Sequence, residues 1–433
     1  MMLFRNNLSS LVFLTGLSIT AASTLLIDGF PLPLQTQEAS LPNSGNTLPL
    51  YPGRGLSLQD LATAKTAWSY FQANTRHETG LVDAVAGFPS GTLWDQGSYL
   101  LALVAAERLA LLSSTEFTAR TDQFLTAMAR LPLYQGHLPN KVYDTRTLAM
   151  VDYENQTAPE GVGWSALDVT RMLAAFRVLE HHHPIYGSRI RHVLAQWDLS
   201  VMTGQGRLIG AAHIDGQTVL QQEGRLGYEQ YGARSAALWG LDVLDAATAK
   251  PILTWRDIEG VEVPTDQRRA NVYKAVTPIL SEPFLLQALE MGLTAESRTL
   301  AERVYKAQEN RFHRTGIATM VSEGHIDRAP HFLYTSVYSN GQDWAVVAED
   351  GSHHPDLRSV SLKAVIGWDA LYNSEYTNTL REDLADLAGE TGWASGKYEA
   401  TGETNAVHTA NTNAVILEAL HYIAFGPLMQ VAL

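Results

Sequence analysis

Residues 94–111 read WDQGSYLLALVAAERLAL and residues 295–312 read AESRTLAERVYKAQENRF. The second is an amphipathic surface helix, with one apolar stripe and one charged face. The first is apolar on nearly every side and rich in small residues, and its polar groups gather at the N-terminal end. A helix apolar all round is buried. The rest of the chain alternates between these two kinds. Further stretches of the buried kind are 163–179 (GWSALDVTRMLAAFRVL), 227–244 (GYEQYGARSAALWGLDVL), 281–293 (SEPFLLQALEMGL), 359–372 (SVSLKAVIGWDALY) and 409–426 (TANTNAVILEALHYIAFG). Surface helices are expected over 58–74, 116–130, 185–199, 296–312 and 375–389. A sixth is due between 246 and 280, where the helical signal is weak.

Alternating buried and exposed helices predict an all-α double ring, an (α/α)6 toroid of six inner and six outer helices. A solenoid also repeats helix pairs, but its repeats resemble one another more closely and are more evenly spaced. Here the connections 131–162, 200–226, 246–280 and 313–357 are long and unequal, as loops carrying a functional face would be. Two of them hold strand pairs: RLIGAAHIDGQTVLQ at 207–221, with Asp215-Gly216 as its turn, and a short pair within 317–338.

The chain has 433 residues, 45% of them hydrophobic and 18% charged, with a formal net charge of −14. An excess of negative charge opposes binding to nucleic acid or anionic lipid, which need cations to displace counterions. It also disfavours a polyanionic polymer such as a uronate. There is no cysteine, which excludes disulfides, thiolate nucleophiles and cysteine metal sites. Residues 1–27 pair one early cation, Arg5, with an apolar run and the small residues Ala21-Ala22-Ser23. They are expected to be a signal peptide or an uncleaved anchor, the one route to a membrane, which puts the globular part in the periplasm or outside the cell. Residues 28–56, with five prolines, are expected to be a flexible linker, and 57–433 a single toroid.

Where the chain enters its buried helices it sets carboxylates beside aromatics: Trp94-Asp95 followed by Gln96, Glu160 before Trp164 and Asp168, and Tyr228-Glu229 followed by Tyr231. The loops add Glu323, Trp393, Tyr398 and Glu399, and the last inner helix opens with Asn411 and Asn413. If the inner helices run the same way, these groups meet at one end of the ring. Any single Asp or Glu in a first helical turn also serves as a cap, so the case rests on their number. Paired carboxyls with aromatic platforms are the equipment for cleaving glycosidic bonds: one protonates the leaving oxygen, the other activates water or attacks the anomeric carbon. Asn, Gln and Asp bind sugar hydroxyls. Rival chemistry lacks its motifs. There is no HExxH, P-loop or GxSxG, and the runs His181-His182-His183 and His353-His354 read as solvated. No cofactor or metal is expected.

Seven stretches in order resemble the bacterial domain-of-unknown-function family 3131 over nearly all of residues 57–426. They are TGLVDAVAGFPSGTLWDQGSYLLALVAAERL, LPNKVYDTRTLAMVDYENQ, EGVGWSALDVTRML, GYEQYGARSAALWG, SEPFLLQALEMG, MVSEGHIDRAPHFLYTSVY and GKYEATGETNAVHTANTNAVILEAL. That family is similar to glycoamylase-like (α/α)6 glycoside hydrolases, some of which act on β-linked glucans such as β-1,2-glucan. The resemblance implies hydrolysis or transglycosylation of a neutral oligo- or polysaccharide. Glu229 would be the general acid, with Glu323, Glu399, Glu160 and Asp95 competing for the partner role. Because members of the family occur beside glycosyltransferases, it also leaves room for a partner in polysaccharide synthesis machinery, or for a non-catalytic binding or scaffolding role in export.

Overall fold

The computed structural model describes residues 40–41, 48–268, 270–273 and 275–431. The expected signal or anchor, and the linker up to 39 and over 42–47, lie outside the described residues. Residues 48–56, expected as the end of that linker, instead run bonded along the body: Leu48 N donates to Glu302 (2.9 Å), Tyr51 N to Leu371 O (2.7 Å) and Arg54 N to Ile423 O (2.9 Å).

The inner ring is made of α2 (Leu93–Arg108), α4 (Ala166–His182), α6 (Tyr228–Ala237), α7 (Glu282–Leu286, continuing as a π-helical turn over Gln287–Met291), α9 (Leu362–Tyr372) and α11 (Ala410–Phe425). Each packs on the next, and α11 packs back on α2, so the ring closes. The outer helices are α1 (Leu58–Asn74), α3 (Ser114–Met128), α5 (Gly187–Leu194), α8 (Ala295–Thr315) and α10 (Glu375–Asp383). Both kinds start on caps written in the sequence. Ser57 and Thr92 each close a capping box with the Asp three residues on, and Ser113 and Ser165 accept from the backbone of their third helical residue.

The sixth outer position departs from the expected double ring. Between α6 and α7 the described chain carries a hairpin, Leu253–Ile258 against Val261–Asp266, which packs on α8. It includes the strand formers Thr254, Val261, Val263 and Thr265, buries 263–266 together, and turns at Glu259-Gly260, both at positive φ (54° and 73°). Pro264 would break a helix there, but on a two-stranded hairpin its missing N–H costs little. The helix expected over 185–199 is also shortened, to α5, with 3₁₀ turns on either side. The expected hairpin in 207–221 is present as β1 (Arg207–Ile214) and β2 (Gln217–Gln222), and Glu323–His325 pairs with Phe332–Thr335. Asp215 and Gly216 lie at φ 49° and 78°, the left-handed pair that a two-residue turn demands.

One apolar core runs through both helix layers. The inner helices approach closely because their facing positions are small: a Cβ on Gly97 would sit 3.2 Å from the backbone carbon of Arg171. The centre is nevertheless ionic. Arg171, fully buried, donates to Glu290 (2.5 Å), Glu418 (3.3 Å), the Tyr231 hydroxyl (3.0 Å) and accepts company from Ser98, whose Oγ takes its Nε–H at 3.0 Å. Burial, and then the neighbouring Glu290 charge, push the Glu418 carboxyl well up. Two buried carboxyls thus share one guanidinium, the pairing that buried charge requires. The π turn brings Glu290 into this network, and the C-terminal segment satisfies its carbonyls: Leu428 N bonds Leu289 O and Met429 N bonds Glu290 O, both at 2.8 Å.

Candidate active site

The first turns of the inner helices meet at one end of the ring. Trp94 and Asp95 of α2, Asp168 of α4, Tyr228 of α6, Lys363 of α9 and Asn411 of α11 all line one cavity of about 340 Å³. Helix α7 joins through Glu282, which pairs with Lys363 and accepts from Asn411 Nδ2 at 2.7 Å. The connections between helices add Tyr153, Glu223 and Glu349 and, from the strand pair, Glu323, His325 and Tyr334. Carboxyls collect here because the positive ends of several helix dipoles point at them.

The densest chemistry surrounds Ser165, the N-cap of α4. Its Oγ lies 2.9 Å from Asp168 Oδ1 and 2.7 Å from Glu223 Oε1, and accepts the Asp168 backbone N–H at 3.1 Å. One hydroxyl proton cannot serve two carboxylates. A proton on Asp168 resolves the conflict: Asp168 then donates to Ser165, and Ser165 donates to Glu223. Glu223 Oε2 meanwhile accepts from Ala166 N at 2.6 Å, at the helix terminus, where negative charge is favoured. The electrostatics agree. Burial first, and then the Glu223 charge, push Asp168 up to about 7, against the opposing pull of Ser165 and Lys141.

Glu323 is the second distinctive carboxyl. It begins the strand Glu323–His325, is 8% exposed, and takes the Tyr228 hydroxyl bond on Oε1. Its Oε2 is buried at the cavity without a hydrogen-bond partner. Burial raises its pKa, with the Lys363 charge opposing. His325 beside it is pushed down to about 4 by burial and by Lys363, so it is neutral at pH 7. Asp95 lines the same cavity and also caps α2, accepting from Thr92 N (3.0 Å) and Thr92 Oγ1 (2.8 Å), and burial raises its pKa. Trp94 meets Tyr228 edge-on with centroids 5.5 Å apart, and Arg171 lies beneath its ring at 4.8 Å.

The remaining expected site residues lie elsewhere. Glu229, on α6, is buried behind the loop 222–228: it pairs with Arg268 (2.8 Å) and accepts from Gln222 Nε2 (3.1 Å). Burial raises its pKa, and Arg268 opposes that rise. Glu399 is clamped by Arg311 (2.7 and 2.8 Å) and Arg358 (3.1 Å); burial alone would raise its pKa, but the two guanidiniums hold it below the usual value. Glu160 is exposed on the surface near His213. Gln96 is spent on both backbone groups of Val82, Trp164 Nε1 on Ile209 O, and Trp393 Nε1 on Thr63 O. Tyr231 belongs to the Arg171 network, Tyr398 donates to Asp327 at 2.6 Å, and Asn413 accepts from Trp393 N at 2.8 Å. These are fold contacts, made where buried polar groups need partners.

Sequence reading passed over Glu223, Glu349, Tyr153, Tyr334 and Lys363. Only Lys363 carried a signal, a lone cation in the otherwise apolar stretch SLKAVIGWDAL. Among the described residues no group of three or more His, Asp or Glu is disposed to hold a metal ion.

The family model described as a protein of unknown function, DUF3131, matches residues 62–426. The chain belongs to the DUF3131 family. No curated protein matches it. Among solved structures, a glucoamylase-like protein of Bacteroides caccae superposes with a TM-score of 0.63 at 12% identity, covering 86% of this chain and 94% of that one. An endo-β-1,2-glucanase from Chitinophaga pinensis, in complex with sophorotriose and glucose, gives 0.61 at 12% identity, with 86% and 94% covered. That from Talaromyces funiculosus, in complex with sophorose, gives 0.60 at 11%, with 86% and 84% covered. This DUF3131 chain therefore shares the helical toroid of these proteins, and at such identities the likeness speaks for the fold alone.

Proposed function

We propose that this DUF3131 protein is an exported glycoside hydrolase or transglycosylase acting on a neutral polysaccharide, with a β-glucan such as β-1,2-glucan the first candidate. The observation that carries the reading is the Asp168–Ser165–Glu223 unit, in which two carboxyls contend for one hydroxyl proton in the same cavity as Glu323. Asp168 and Glu323 face one cavity, and Glu323 presents an unpartnered oxygen to it, the carboxyl pair that glycosidic cleavage uses. Asp168 is the general acid. Glu323, oriented by Tyr228, is the second carboxyl. In hydrolysis the Asp168 proton passes to the glycosidic oxygen as the C–O bond breaks, and a water oxygen bonds to the anomeric carbon. The water proton passes to Glu323, and proton exchange with solvent restores both groups. Glu223, bonded at the helix terminus, raises the Asp168 pKa through its charge.

A neutral polymer fits the wall. Its carboxyls, Asp95, Asp168, Glu223, Glu323 and Glu349, outnumber Lys141 and Lys363, and Glu282 already offsets Lys363. Trp94, Tyr228, Tyr153 and Tyr334 offer faces and hydroxyls to sugar rings. The fold neighbours that bind β-1,2-linked glucose support this choice. Glu229 enters as a positioning residue, holding Gln222 from behind the wall, in place of the acid role the resemblance implies. Export rests on residues 1–27 and is checked by fractionation and N-terminal sequencing.

A panel of neutral glucans read by reducing-end formation tests the whole. Turnover of at least one glucan is expected, with Asp168→Asn and Glu323→Gln each losing about 10²–10⁴-fold in kcat. Binding without turnover on every glucan would instead make this a polysaccharide-binding partner. Full turnover in Asp168→Asn would move the acid elsewhere, Glu323 first.

A further inference from the structure

The cavity does not end at its carboxyls. A second cavity, of about 490 Å³, shares Lys141, Tyr153, Glu223, Tyr228, Tyr334 and Glu349 with the first. The two are lobes of one cleft, and the shared residues form the waist between them. Each lobe by itself falls within about 300–1,000 Å³, the usual size of a ligand pocket.

The lobes differ in chemistry. The first holds Asp95, Asp168, Glu323, Trp94 and Asn411 at the helix mouths. The second lies beside the β1–β2 hairpin and is lined by His213, Gln221, Gln222, Arg225, Tyr273 and Val276. It has amide, imidazole and guanidinium donors over an apolar floor. Arg225 is fixed by Gln222 Oε1 (2.9 Å) and Gly224 O (2.6 Å), lies 5.6 Å from the Tyr273 ring centre, and leaves its buried Nε–H without a partner. Amphipathic walls of this kind suit the hydroxyls and C–H faces of a neutral sugar, whereas an anionic ligand would face Asp152, Glu223 and Glu349 in the same lobe.

We propose that the second lobe is a saccharide-binding subsite continuous with the first, so that one glucan chain crosses the waist and presents an internal linkage to the carboxyls. This rests on the saccharide reading above and adds to it the direction of attack: cleavage within the chain, with sugar units held on both sides of the broken bond. A site closed behind its carboxyls would instead trim chain ends.

The test uses the catalytically silenced Asp168→Asn protein and a length series of linear β-1,2-glucan oligosaccharides, followed by calorimetry. Affinity is expected to climb with length beyond what one lobe can hold, by about tenfold or more in total, before levelling. Val276→Trp, made in the same background to fill the second lobe, is expected to abolish that climb. In the active parent, the viscosity of a long glucan should fall well before reducing ends accumulate. Affinity that levels at the shortest bound oligosaccharide, or a climb that Val276→Trp leaves intact, overturns the second subsite while the hydrolase reading stands. Failure of any glucan to bind overturns the saccharide reading itself. A variant that misfolds is recognised by its circular dichroism, and the length series in the Asp168→Asn protein decides without it.

Discussion

Helix α4 carries Asp168 and, one turn deeper, Arg171, and the two sit in acidic clusters of opposite character. Around Arg171 most groups are paired: Glu290 and Tyr231 lie within 3.0 Å and Ser98 is at 3.0 Å, while Glu418, its carboxyl pushed well up by burial, leaves Oε2 without a partner. Around Asp168 the charges are left unanswered. Two carboxyls share one serine proton, the nearest lysine only moderates the shift, and Glu323 keeps an unpartnered oxygen against the cavity. Burial raises the cost of charge in both places. Pairing offsets that cost in the lower cluster and fixes the ring. In the upper one the cost is left standing as a stored proton, which is what chemistry requires and stability does not.

The sharpest way to break this contrast is to remove the pairing from the lower cluster. Arg171→Leu leaves Glu290 buried without its cation, and a broken buried pair costs about 3–5 kcal/mol. Urea denaturation should show a loss of that size. A change well under 1 kcal/mol would mean that the network is not what holds α4, α7 and α11 together. Next in size is the upper cluster's own coupling. Glu223→Gln removes the anion that helps keep Asp168 protonated, so the Asp168 pKa falls from about 7. An acid must be protonated to act, and activity is lost as pH rises through its pKa. The alkaline limb of kcat/KM should therefore move to lower pH, by about one unit. An unmoved limb would separate Glu223 from the acid.

The two clusters were unequally visible in the sequence. The inner helices stood out because complete burial imposes an apolar composition, and α2, α4 and α11 start on the caps Thr92, Ser165 and Thr409. Trp94, Asp95, Asp168, Tyr228 and Asn411 could be singled out because a first helical turn has a fixed place in a ring of parallel helices. Glu223 and Glu349 reach the cavity from loops, whose paths depend on long-range contacts that no local pattern encodes. The Trp164, Trp393 and Asn413 side chains were misleading for a related reason. Polar and aromatic groups near a helix start also serve to satisfy buried backbone groups, and composition cannot distinguish the two uses. The weak helical signal over 246–280 had a plain cause in the strand formers and glycine turn of 253–266, which read as strand once the helical period is set aside.

The smallest expected effect tests whether the stored proton carries a stability cost. The folded-state pKa of Asp168, about 7, lies above the ordinary unfolded value of about 3.9, so the folded chain keeps a proton that the unfolded chain releases between those pH values. Its contribution to stability is fully present below the unfolded pKa and is lost as pH rises through the folded one. Asparagine has no proton to lose. Asp168→Asn should therefore match the parent near pH 4 and become more stable than it by about 1–2 kcal/mol at pH 8, discounting for water in the cavity. The variant would have lost its activity. Arg171→Leu, by contrast, should lose stability at both pH values, since a guanidinium does not titrate in this range. If Asp168→Asn gains nothing at pH 8, the cavity stabilises the Asp168 carboxylate as well as water does. The acid of this site would then have to be sought at Glu323, whose orphaned Oε2 is the other place in the cleft where a proton would be held.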